Sequence, residues 1–220
     1  MADETVLEEH DAPIETDEEP EGLDEATLER RREALAEVVK FGDPVLRSRA
    51  SEVTEFDEAL IADLARMVRI MHDAMGVGLA ATQLGILRRA LVFQAGPDAP
   101  ATALVNPQIE WTSEEEVTAE EGCLSIPGIV VDVERPLQAR VTGLAADGAP
   151  IEIEASGLEA RVLQHEIDHL DGVLMLSHAP TEQRKAALRA LREGETYSPP
   201  GPEEDEEADS ESPAKSPEDG

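Results

Sequence analysis

Between Asp57 and Met75 the apolar residues Leu60, Ile61, Leu64, Met67, Val68 and Met71 recur three or four positions apart, the period of an amphipathic helix. Thr54 and Asp57, three apart, are candidate caps for its start, and Gly76 and Gly78 are placed to end it. Ahead of it, Phe41-Gly-Asp-Pro-Val-Leu-Arg47 is expected to be an extended entry segment broken by a Gly/Pro turn. Beyond it the pattern shortens. Ala90–Gln94, Ala103–Val105, Val117–Ala119, Ile129–Val133, Leu137–Val141 and Ile151–Ile153 have strand character. Pro127-Gly128, Pro136, Gly143 and Asp147-Gly148 separate them as turns. Strands of this length and spacing predict antiparallel meanders.

The clearest further helix begins at Ser156, where Ser156 and Glu159 form an S-x-x-E capping box, and Gly172 is placed to stop it. A shorter helix, Thr181–Arg192, carries Arg184, Lys185, Arg189 and Arg192. The predicted fold class is α+β, with antiparallel sheets wrapped around one central helix.

Composition changes the picture at the two ends. The net charge is −32 over 220 residues, of which residues 1–33 contribute −11 and residues 194–220 contribute −9. Like-charged blocks with few large apolar groups bury too little surface to offset chain entropy. Residues 1–33 are therefore expected to be an acidic disordered tail, 34–194 the folded domain, and 195–220 a second acidic disordered tail. A field of this sign excludes binding DNA through overall charge. The first thirty residues resemble neither a signal peptide nor a transit peptide. The longest apolar stretch, Ala74–Leu87, is 14 residues, too short to span a bilayer. A soluble, cytoplasmic protein without membrane contact is expected. One cysteine, Cys123, rules out an intrachain disulfide.

The central helix contains His165-Glu166-Ile167-Asp168-His169. At about 100° per residue the two histidines sit roughly 40° apart on one face, a turn apart, where both imidazoles reach one metal ion. Glu166 lies roughly 60° from His169, within reach of a water at the ion without being a ligand. Metal-assisted hydrolysis needs that set: the ion lowers the pKa of its water and a carboxylate handles the proton. The motif alone leaves open which hydrolase this is, because the third ligand decides. The extended H-E-x-x-H-x-x-G-x-x-H pattern finds its glycine at Gly172, but Met175 stands at the third-histidine position. A downstream glutamate ligand would have to be Glu182 or Glu193, on or beside the short basic helix. Cys123, in Glu121-Gly122-Cys123-Leu124-Ser125, is the remaining candidate, since a thiolate is a strong ligand for first-row metals. A lone cysteine is also commonly a small buried hydrophobe.

Gly76-Val-Gly-Leu-Ala-Ala-Thr-Gln83 is a glycine-rich turn ending in an amide. It is not a dinucleotide fingerprint, because no strand precedes it and the third glycine is missing. Taken together, Gly76–Gln83, Glu121–Ser125 and Gln164–Gly172 resemble the peptide deformylases, which show G-x-G-x-A-A-x-Q, E-G-C-L-S and Q-H-E-x-D-H-L-x-G in this order. The resemblance covers roughly residues 38–192, including Phe41-Gly-Asp-Pro.

The resemblance implies a metal-dependent hydrolase that removes the formyl group from the N-terminal methionine of new polypeptides, a step of protein biosynthesis. It implies Cys123, His165 and His169 as metal ligands, with a water in the fourth position. Glu166 would shuttle the proton, and the Gln83 amide and the Leu124 backbone N–H would hold the developing oxyanion. The methionine pocket would take in Val77, Gly78, Gly122, Leu158, the stem of Arg161 and the His165 ring. Asp168 and Gln164 are expected to orient the ligands. The donor set accepts zinc, nickel, cobalt or ferrous iron, and the resemblance implies Fe(2+). It also implies a ribosome contact through helix 181–192. The chain departs from some members at Val130, where they carry an arginine near the substrate groove, and in its acidic ends. Two rival readings are a metallo-amidohydrolase for another small N-acyl substrate and a binding module with a structural metal. Structural sites are closed by four protein ligands, and this sequence offers three obvious ones plus an acid poised for proton transfer.

Overall fold

The computed structural model describes residues 22–200. Four α-helices are α1 Glu25–Glu37, α2 Glu58–Asp73, α3 Leu158–Leu170 and α4 Thr181–Glu193. Seven strands are β1 Gly78–Ala80, β2 Ala90–Phe93, β3 Thr102–Thr112, β4 Glu116–Glu121, β5 Val131–Pro136, β6 Gln138–Leu144 and β7 Pro150–Ser156. Five of them form an antiparallel sheet in the order β1-β2-β3-β6-β7, while β4 and β5 pair as a separate antiparallel ribbon. This is the α+β arrangement that the pattern predicts.

Helix α3 sits at the centre. From Ala160 to Leu170 every residue except Asp168 is buried. Val162, Leu163, Ile167 and Leu170 pack on Leu91, Phe93, Leu104, Ala139 and Val141 of the large sheet. Helix α2 covers the opposite face of that sheet, with Leu60, Leu64, Met67, Ile70 and Met71 against Leu79, Val92 and Val105, which alternate along their strands with the residues facing α3. A third cluster joins the ribbon to α4 through Ile129, Val131, Val133, Met175, Leu176 and Ala187, and Cys123 belongs to it. The metal-ligand candidates thus lie where core packing from three sides meets.

Several local expectations are corrected. The boundary at residue 33 cuts through a helix: Asp24 accepts a hydrogen bond from Thr27 N–H at 2.9 Å, and Ala34 and Arg31 are buried. Glu37 ties that helix to α2 by accepting from Arg66 Nη2 at 2.6 Å. The positive charge of Arg30, Arg31 and Arg32 makes this stretch less one-signed than the block as a whole. The expected disorder at residues 1–21 and 201–220 lies outside the described residues. At the other boundary, residues 195–200 follow the domain closely, and Tyr197 bridges Ile129.

Asp57, not Thr54, caps α2 by accepting from Leu60 N–H at 2.9 Å. That helix ends at Asp73, Met75 takes the left-handed conformation (φ 64°) before either glycine, and Gly78 enters β1. The Ser156–Glu159 capping box does not form. Ser156 is held in β7 opposite Gln138, and Gly157 (φ 58°, ψ −127°) turns the chain into α3. Pro44–Arg47 is one 3-10 turn capped by Asp43, not extended chain. Strand β3 runs well beyond Val105, because a register shift between Val105 and Gln108 accommodates Pro107, which has no N–H for the ladder.

Candidate metal centre

Cys123 lies two residues after the end of β4, and His165 and His169 face it from α3. One ligand atom from each of the three residues can be chosen so that all lie within 4.8 Å of one another, and all three side chains are buried. Cys123 Sγ and His169 Nε2 are 3.2 Å apart, and the two imidazoles meet edge to face with centroids 4.9 Å apart. Ligands around a tetrahedral ion with metal–sulfur and metal–nitrogen bonds of ordinary length stand roughly 3.3–3.6 Å apart. The cluster therefore fits a single metal ion.

Other candidates for the third ligand are elsewhere. Met175 is buried in the third core cluster, Glu182 pairs with Lys185, and Glu193 pairs with Arg189. His178 contacts Asp168 and His72 contacts Gln94, while His10 lies outside the described residues.

Glu121 anchors the cluster from behind. Its Oε2 is 2.9 Å from His165 Nδ1, which leaves Nε2 of that ring for the cluster. The same carboxylate accepts from Arg135 Nη2 at 3.0 Å and from Arg161 Nη1 at 2.8 Å, and it is fully buried. Burial opposes its charge, but the bonds from His165 and Arg135 outweigh burial and hold the carboxyl far below the usual carboxylate range. Burial likewise disfavours a charge on His165, yet its bonds to Cys123 and Glu121 raise its pKa well above the ordinary value. Burial and the neighbouring charge of His165 push His169 well below it.

Gln83 closes one side. Its Oε1 accepts from Ala80 N–H at 2.8 Å, which fixes the amide so that Nε2 points to Ser125 Oγ at 3.4 Å and Cys123 Sγ at 3.6 Å. Leu124 follows Cys123, with its carbonyl held by Lys40 Nζ at 2.9 Å. Glu166, one residue after His165, is buried against Gly78. Val77 and Leu158 pack on the core cluster that α3 shares with the large sheet. Gly122 is buried between Glu121 and Cys123.

Arg161 makes contacts beyond its expected role, and Gln164 departs from its own. Arg161 does not offer only an aliphatic stem: its guanidinium is buried and donates to Glu121, to Val133 O at 2.9 Å and to Val117 O at 2.7 Å. The Gln164 side chain is directed away from all three ligand side chains in its hydrogen bonding: it donates to Pro136 O at 3.1 Å and Ala160 O at 3.0 Å, tying α3 to the end of β5. Asp168 acts at one remove, through Arg135 Nη1 at 2.9 Å, and burial of its charge is outweighed by His178 and Arg135, which keep its pKa low. Arg135 was not foreseen. The signal was present, since Arg135 is in phase with the buried Val131 and Val133 along β5.

The family model described as polypeptide deformylase matches residues 35–185. The chain is 46% identical over 161 residues to peptide deformylase 1 of Corynebacterium glutamicum, covering 72% of this chain and 95% of the relative. It is 47% identical over 151 residues to a peptide deformylase of Thermotoga neapolitana, covering 69% and 91%. A crystal structure of a peptide deformylase from Legionella pneumophila superposes with a TM-score of 0.67 at 39% identity, covering 71% of this chain and 93% of that one. One from Synechococcus elongatus in complex with actinonin gives 0.67 at 38% identity, covering 72% and 88%.

Proposed function

This chain belongs to the polypeptide deformylase family, and we propose that Cys123, His165 and His169 hold the divalent ion with which it removes the formyl group from the N-terminal methionine of nascent polypeptides. The observation that carries the site assignment is the buried convergence of those three ligand atoms within 4.8 Å. When bound there, such an ion would supply Lewis-acid chemistry, lowering the pKa of the attacking water.

Glu166 takes the proton from the attacking water and delivers it to the leaving amine. A C–O bond forms at the formyl carbon, the C–N bond breaks, and formate and a free methionine amine result. Gln83 Nε2 and the Leu124 N–H receive the charge that develops on the formyl oxygen. The fixed orientation of the Gln83 amide supports its role as donor. Val77, Gly78, Gly122 and Leu158, with the Arg161 stem and the His165 ring, form the methionine pocket.

Ferrous iron is the proposed ion. The N₂S donor set suits first-row metals, and the family resemblance supplies the choice among them. The proposed setting is the cytoplasm, where nascent formylated chains are found; among the described residues no helix is long and apolar enough to cross a membrane. Arg184, Lys185, Arg189 and Arg192 on α4 are the proposed ribosome contact. Metal analysis combined with formyl-Met-Ala-Ser turnover tests this reading. Turnover of other N-acyl substrates alone would favour a different amidohydrolase, and metal without turnover a structural site.

A further inference from the structure

The loop that carries Cys123 and Leu124 leaves β4 after Glu121 and re-enters the ribbon at Val131. At its near end it is tied by Phe41 N–H, which donates to Ser125 O at 2.7 Å, and by Lys40. Within the loop Ile126 N–H donates to Cys123 O at 2.8 Å. The far end is held by residues from beyond the last helix. Gly194 (φ 70°) ends α4 and turns the chain back, and Glu195 N–H donates to Ala190 O at 2.9 Å. Tyr197 then lies parallel to Ile129: its N–H donates to Gly128 O at 2.8 Å, and its carbonyl accepts from Val130 N–H at 2.8 Å. Its ring packs on the cluster that contains Cys123, Ile126 and Ile129. Gly128 has φ 67°, and a Cβ there would stand 3.0 Å from Thr196 Cγ2.

We propose that residues 195–198 form a strap that positions the metal-ligand loop, with Tyr197 as its positioning residue. The reciprocal backbone pair holds Gly128–Val130, and the Tyr197 ring wedges the segment against the core behind Cys123. The strap thereby keeps Cys123 Sγ and the Leu124 N–H where the ion and the reacting carbonyl need them. It also occupies the Val130 N–H, which is therefore not available to a bound peptide. The proposal rests on the deformylase reading only for what Cys123 and Leu124 do in turnover.

The test uses full-length, metal-loaded protein with Tyr197→Pro, which removes the donating N–H, Tyr197→Ala, which removes the ring, and Tyr197→Phe, which keeps both. Amide exchange is followed across residues 122–131, together with kcat and KM on formyl-Met-Ala-Ser and the rate of metal loss to a chelator. In Tyr197→Pro, exchange of the loop is expected to speed up about tenfold while the large sheet keeps its protection. Its kcat should fall about tenfold with KM changed less than about twofold, because misplaced catalytic groups cost rate more than binding. Metal loss should quicken, and Tyr197→Phe should behave as wild type. Loop exchange unchanged in Tyr197→Pro overturns the strap, whatever its kinetics. So does faster exchange with unaltered kcat and metal loss. Should Tyr197→Pro fail to fold, Tyr197→Ala decides by the same readings. A wild-type protein inert on the formyl-peptide would end the deformylase reading, while the exchange and metal-loss comparison would still judge the strap.

Discussion

Glu166 and Gly78 are in direct contact: a Cβ built on Gly78 would stand 2.9 Å from the Glu166 carboxyl carbon and closer still to its Oε1. The glycine is there for space, since Gly78 has no positive φ. Any side chain there would displace the Glu166 carboxylate.

Gly78→Ala is therefore expected to leave metal content intact and to lower kcat. A general acid–base group typically contributes about 10²–10⁴-fold, so displacing it should cost at least about tenfold. Glu166→Gln should keep the ion and lose about 10²-fold or more. Metal analysis beside steady-state kinetics checks both, and loss of metal in step with activity would contradict the assignment of Glu166 as a proton carrier.

Glu121→Gln should weaken metal affinity by about 10–100-fold, the usual effect of removing the group that orients a ligating histidine. It should also destabilise the fold by about 3–5 kcal/mol, because Arg135 and Arg161 lose a buried carboxylate partner. The pH dependence has a definite sign. The folded-state pKa of Glu121 is depressed below its unfolded value of 4.5, so its contribution is complete above about pH 4.5. It is lost progressively as pH falls from there toward the folded value. Melting curves of wild type and variant should differ most above pH 4.5 and converge below it.

Gln83→Leu is expected to lower kcat by about 10²–10³-fold with little change in KM, the cost of one oxyanion donor. An intact metal content in this variant would separate that role from support of Cys123. A proportional rise in KM would instead indicate ground-state binding.

Removing the ion with a chelator should lower the melting temperature, since the ion binds only the folded arrangement. Restoring ferrous iron anaerobically should return the highest activity, and aerobic handling should erode it through oxidation of iron and then of Cys123. Full activity of an air-stable, iron-free zinc form would show that the native ion is not iron.

Helix α3, its metal face and the α+β class were legible in the chain because each depends on near neighbours. The 3.6-residue period places His165, Glu166 and His169 on one face whatever surrounds them. The short strands were marked by their own apolar runs and turn residues. What depends on distant residues was not readable from spacing or periodicity. That Cys123 comes within 3.2 Å of His169 is set by the packing of the ribbon on α3, 46 positions away along the chain. Motif resemblance named the pair, but periodicity had no access to it. Arg135 had an ordinary local reading as a strand polar, and the roles that resemblance implied for Arg161 and Asp168 named no charge partner for either. Only the fold gathers two guanidinium groups around Glu121, where burial forces every charge to find a partner. The helix across Glu25–Glu37 was hidden for the same reason: its acidic composition argued for a tail, and contacts with α2 decided otherwise. Local periodicity thus determined which residues share a face, and tertiary packing decided which faces meet, because desolvated polar groups are satisfied by whatever the fold brings near.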